Sequence, residues 1–181
     1  MVLITKTRKG ISSREDGLTI IELMIAMVVL AVGILGSMAL VITAINGNYR
    51  SKQMSNSTAI AQMVTEKMMS VAANTSPTLT IIDCTGTSSS VATAAGGESL
   101  TSSGDIDYTA TTTANYYMSY TDCGSAGRQA VYDVRWNVQT LSPYSKLLTV
   151  SARLKAVVVS GTAGSVFGPI VTIHTVVGLG T

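Results

Sequence analysis

Apolar residues are crowded into one part of this chain and alternate in another. From Leu18 to Ile45 the sequence is almost wholly aliphatic with Glu22 as its single charge, and the 27 residues from Leu23 to Tyr49 carry no charge at all. As a helix that uncharged stretch rises about 40 Å, more than the roughly 30 Å hydrocarbon core of a bilayer, so the pattern predicts a membrane-spanning helix. Beyond it Ile60, Met63, Val64, Met68 and Val71 recur every three to four residues. That spacing predicts an amphipathic continuation of the same helix. Residues 18–72 as one helix would be about 80 Å long, with Gly47 between Asn46 and Asn48 as its weakest point. A methionine stripe at this spacing is read as core packing.

The period then changes from helical to two. Ala130, Tyr132, Val134, Trp136 and Val138 alternate with Val131, Asp133, Arg135, Asn137 and Gln139, the pattern of a half-buried strand. Leu148, Val150, Ala152, Leu154 and Ala156 alternate with Thr149, Ser151, Arg153 and Lys155, and Ser142-Pro143-Tyr144-Ser145 supplies the turn between the two. A third apolar run, Ile170 to Val177, follows Gly168-Pro169. Three antiparallel strands of this kind would bury one face on the Ile60–Val71 stripe. Between Asn74 and Ser125, 21 of 52 residues are Ser or Thr, and the only charges are five acids, which reads as loop with at best short irregular strands. The expected fold is α+β: a long amino-terminal helix, membrane-spanning to about residue 45, with its second half packed on a small antiparallel sheet.

Composition sharpens this picture. Charged residues make up 12% of the 181, about half the roughly 25% of an ordinary soluble chain. Mean hydropathy is +0.39 with only 5% aromatics, so the hydrophobicity is aliphatic. Disorder and a highly charged nucleic-acid-binding domain are both disfavoured. Lys6, Arg8, Lys9 and Arg14 precede the apolar block, which predicts a cytoplasmic amino terminus and a domain beyond the inner membrane. An ordinary secretory signal fits poorly, because its apolar core is only about 7–15 residues long.

Glu22 is the anomaly. A carboxylate inside a membrane span costs about 2.5–3.5 kcal/mol even on lenient scales, which reads either as a functional residue in need of a partner or as the mark of the headgroup edge of the helix. No Lys, Arg or His follows it until Arg50. The string Gly17-Leu18-Thr19-Ile20-Ile21-Glu22-Leu23, after a basic leader and before a long aliphatic run, resembles the class III signal of type IV pilins and pseudopilins. The match extends from Gly17 to Met69 and is similar to the PilV type of minor pilin, which favours an element like Gly33-Ile34-Leu35-Gly36. Ala31 and Ala39 stand where major pilins usually carry a helix-loosening glycine and proline, which points to a minor component.

The resemblance implies a leader of residues 1–17 removed by prepilin peptidase between Gly17 and Leu18, and methylation of the new Leu18 amino group. It implies that Glu22, with Thr19 beside it, sets register by pairing with a neighbour's terminal amine. Gly33 and Gly36 would permit close helix approach. Removing the leader leaves 8 basic and 8 acidic residues. The expected protein is a non-enzymatic structural subunit for pilus assembly or initiation. Its expected partners are other pilins or minor pilins and the inner-membrane assembly platform, and its route runs from inner membrane to pilus and cell surface. Alternatives are a type II secretion pseudopilin and a membrane-anchored adhesive or DNA-binding module. Their common architecture keeps 73–181 as the domain outside the membrane.

Other chemistry is sparse. In an oxidising compartment Cys84 and Cys123 are most simply a disulfide, with two buried free thiols as the alternative. No CxxC occurs and His174 is the only histidine, so neither metal nor other cofactor is expected. Asp105, Asp107 and Asp122 could supply oxygens to calcium but read as solvated acids. Arg135, Arg153 and Lys155 could meet phosphate, yet read more simply as a solvated strand face.

Overall fold

The computed structural model describes residues 19–124, 127–159, 162–165 and 168–178, with backbone alone for 158–159 and 162–165. The chain divides into two units, one ending at Ile45 and one starting at Asn46. A single helix, α1 (Ile20–Met69), contributes to both.

In the first unit the aliphatic side chains of α1 are exposed on every side, from Ile20 and Ile21 through Leu40 to Ile45. Thr19 caps the helix, its Oγ1 accepting the Glu22 N–H at 3.3 Å. The hydroxyls of Ser37 and Thr43 donate to the carbonyls of Ile34 and Ala39 at 2.8 and 2.9 Å. Their polar atoms are therefore satisfied within the helix, as an apolar medium requires.

The second unit is built on one long antiparallel hairpin, β5 (Gln129–Ser142) and β6 (Ser145–Val159). On the free side of β5 lie β3 (Gly96–Gly97) and β4 (Tyr117–Cys123); on the free side of β6 lie β7 (Thr162–Ser165) and β8 (Val171–Gly178), all antiparallel. A separate hairpin pairs β1 (Thr78–Ile82) with β2 (Ser88–Ala92). Alternation decides which face is inward. Tyr132, Val134, Trp136 and Val138 stand opposite Leu154, Ala152, Val150 and Leu148, and all eight are buried with Ile60, Ala61, Val64 and Met68 of α1. Trp136 is fully buried, and its indole N–H donates to the Ala92 carbonyl at 3.0 Å.

β3 is short because it must come very close to β5. Gly97 has φ of +129°, and a Cβ there would lie 2.6 Å from the Trp136 carbonyl oxygen, so only glycine admits this approach. The Ser/Thr-rich region is more ordered than its composition predicts, holding the β1–β2 hairpin and a seven-residue β4 in continuous register with β5. Threonine's β-branched side chain suits a pleated surface, and one buried apolar residue each in β1 and β2, Ile81 and Val91, gives the hairpin its inward side.

Candidate functional site

The residues singled out at the amino end fall on the first turns of α1. Glu22 lies in its first turn, where the positive end of the helix dipole favours a carboxylate. Among the described residues nothing donates a hydrogen bond or ion pair to that carboxylate. Gly17 and Leu18 lie outside the described residues. Gly33 and Gly36 have open space around them: a Cβ on either would meet no atom of the described residues within 4 Å. The first unit thus presents a largely aliphatic surface with a carboxylate at one end and two glycines along it, broken by the hydroxyls of Ser37 and Thr43, which bond back to their own helix.

In the second unit Cys84 and Cys123 form a disulfide with a Cα–Cα distance of 5.8 Å, tying the β1–β2 turn to the end of β4. Beside it, Asp83 accepts from the Thr85 hydroxyl at 2.6 Å, from the N–H groups of Thr85 and Thr87 at 2.9 Å each, and from the Thr121 N–H at 3.3 Å. The Thr85 hydroxyl foremost, with these N–H groups, holds the Asp83 carboxyl down at about 2. Turn and strand are thus joined covalently and by hydrogen bonds.

The sheet face turned away from α1 departs from expectation. Arg135 and Arg153 are not on a solvated face: Asp133 accepts from Arg135 Nε at 3.1 Å, from Arg135 Nη2 at 3.2 Å and from Arg153 Nη2 at 3.1 Å. Both guanidinium groups lie over the Tyr108 ring, Arg135 at 4.7 Å and Arg153 at 4.0 Å from its centroid. Its hydroxyl donates toward the Asp133 carbonyl and Ser151 Oγ, and burial pushes it up to about 12. Glu98 closes the other side. It is fully buried, accepts the Thr113 N–H at 2.6 Å and lies 3.7 Å from Arg135, and burial raises its carboxyl above the usual range. Both arginines are consumed by this network; Lys155 alone of the three basic residues is exposed. Their predicted strand face exists, but the 98–113 segment covers it.

The acids do not converge on a cation. Asp107 accepts from the N–H and hydroxyl of Thr109, which lower its carboxyl pKa, while Asp105 meets Ser103 and His174. Among the described residues no group of three metal-ligating side chains occurs. His174 also contacts Thr149 Oγ1 at 3.1 Å, but Thr149 is buried and offers no accessible nucleophile. The polar network, the Asp83 cradle and Gly97 were not singled out from the sequence. The one local signal was the Gly96-Gly97 pair, which marks a close backbone approach.

A family model described as the prokaryotic N-terminal methylation motif matches residues 12–38. No curated protein and no solved structure shows a significant match to the chain.

Proposed function

We propose, from the premise that this chain carries the amino-terminal methylation signal of the type IV pilin-like superfamily, that it is a minor pilin of the PilV kind. In this reading prepilin peptidase cuts between Gly17 and Leu18 and methylates Leu18. The processed chain is anchored by α1 in the inner membrane, its domain faces the periplasm, and it then enters a pilus or the complex that initiates one. The single observation that carries the proposal is the surface of α1 from Ile20 to Ile45, aliphatic and exposed all round, directly within and after the matched signal.

The physical logic is assembly. In lipid the aliphatic surface is solvated by acyl chains, and in a filament it packs on equivalent helices. Gly33 and Gly36 support close approach, because among the described residues nothing packs against them that would require the lack of a side chain. The Glu22 carboxylate is costly in an apolar setting unless paired, and a terminal amine from a neighbouring subunit would be a sufficient partner. The Cys84–Cys123 disulfide supports an oxidising compartment for the second unit. A type II secretion pseudopilin shares all these features and is the second reading. Replacing Glu22 by Ala tests the mechanism: cleavage and methylation persist while the subunit disappears from sheared filaments. Normal amounts of the variant in filaments would refute the register role.

A further inference from the structure

We propose that adjacent copies of the second unit join edge to edge, the free edge of β1 in one copy pairing antiparallel with the free edge of β8 in the next. The inference rests on the assembly reading and deepens it, by naming a contact between copies that lies outside the aliphatic part of α1.

Backbone pairing within the β1–β2 hairpin shows which groups of β1 are left over. The Asp83 N–H donates to the Thr87 carbonyl at 3.0 Å, one step beyond the Ile82–Ser88 pair. Bonded and non-bonded pairs alternate along an antiparallel ladder, so Ile81 and Leu79 bond to Ser89 and Val91, while Thr78, Thr80 and Ile82 turn N–H and C=O away from β2. Ala92, opposite Thr78, has the same phase: its N–H leaves the hairpin for the Asn115 carbonyl at 3.0 Å. Among the described residues nothing bonds to these groups of β1. β8 pairs with β6 alone, so alternate residues along it turn outward in the same way. Neither edge carries the devices that usually protect one. Thr78–Ile82 and Val171–Gly178 hold no Pro, Lys or bulge, and Ile82 and Val176 are exposed.

Placement and direction make one edge the partner of the other. Met63, Glu66, Lys67 and Ser70 of α1 line a groove with Thr80–Ile82, whereas the Thr175 hydroxyl of β8 donates to Met69 Sδ at 3.9 Å. At about 100° per residue the core-facing Ile60, Val64 and Met68 fall between these two flanks of the helix, so the free edges lie on opposite sides. A contact between two different patches is heterologous and can repeat from copy to copy, as a filament requires. β8 is antiparallel to β6, β6 to β5 and β5 to β4, so β8 and β4 run opposite ways. β1 runs with β4: it starts level with Asn115, just before β4, and leads to Cys84, which is bonded to Cys123 at the end of β4. Copies standing the same way up therefore bring β8 to β1 antiparallel, the more stable pairing.

The test co-produces two differently tagged forms of the full chain in cells, one carrying Ile82→benzoylphenylalanine at an exposed position of β1. Irradiation is expected to give adducts bearing both tags, with the cross-link mapped by mass spectrometry to residues 171–178 of the second copy. Thr80→Pro removes an N–H that no described residue uses, so it is expected to cut adduct yield about tenfold while Trp136 fluorescence reports an unchanged Tm. Val176→Lys guards the other edge and is expected to do the same, which decides the matter should Thr80→Pro unfold the domain. Undiminished yield in both variants overturns the edge pairing. Adducts confined to one chain, or to a different protein, overturn the second copy as occupant. Adducts between β1 and β8 in a chain absent from sheared filaments keep the pairing and overturn the assembly reading; a chain present in filaments without such adducts does the reverse.

Discussion

Substituting Asn for Asp133 removes one charge and almost no volume, which isolates the electrostatics of the covered sheet face. Asp133 is 7% exposed, as is Arg135, and it accepts three hydrogen bonds at 3.1–3.2 Å from Arg135 and Arg153. Asn keeps one acceptor but turns an N–H toward a guanidinium, leaving two buried cations with one carboxylate fewer. Removing one partner from a buried ion pair costs about 3–5 kcal/mol. The Arg153 side chain is 18% exposed and retains some water, so the low end applies, about 3 kcal/mol. For a domain of this size that lowers Tm by about 10 °C. Trp136 is the only tryptophan and is fully buried, so its fluorescence reports unfolding of the full chain in detergent. The triple replacement Asp133→Leu, Arg135→Met and Arg153→Met should cost less than Asp133→Asn, because no charge is stranded. A shift below about 2 °C for Asp133→Asn, the size of an ordinary surface substitution, would refute the buried network and restore the solvated face.

Other expectations follow from the same geometry. Cys84→Ser with Cys123→Ser opens a cross-link between residues 39 apart and should cost about 4 kcal/mol by loop entropy, measured by denaturant unfolding; a loss under about 1 kcal/mol would mean the unfolded chain is little constrained by it. Asp83 is held at about 2 against an ordinary 3.8, so its stabilising contribution is full above about pH 4 and lost as pH falls toward 2. Asp83→Asn should therefore flatten the acid limb of Tm against pH, and an unchanged limb would contradict the hydrogen-bond cradle. Gly33→Leu with Gly36→Leu should leave Tm unchanged, since no atom of the described residues lies within 4 Å of either added Cβ, while lowering recovery in sheared filaments several-fold. Undiminished recovery would remove the glycines from helix packing.

Elements whose cause is local and periodic are legible in the sequence. The aliphatic block announced α1, and the inward positions Tyr132 to Val138 and Leu148 to Leu154 announced the two central strands, because a period of two survives wherever one face is buried. The methylation signal is contiguous, so its glycine, threonine and glutamate could be recognised together. The covered polar face was illegible for the opposite reason. Asp133, Arg135 and Arg153 occupy outward positions of their strands, and what buries them is Tyr108, at least 25 residues away in a segment without apolar periodicity. Alternation reports that a strand has two faces; it does not report that a distant loop lies over the polar one. β4 was hidden in the same way, since its register with β5 comes from pairing across a turn, and Ser and Thr neighbours mask its short pattern.

Pilin-like assembly of this chain requires that its amino-terminal signal be used. Intact-mass analysis of the protein from cells with and without prepilin peptidase tests this directly. The expected result is peptidase-dependent loss of residues 1–17 and the gain of one methyl group on Leu18. The same unprocessed mass in both strains would contradict it, leaving a plain signal-anchored protein in which Glu22 has no neighbouring amine to meet.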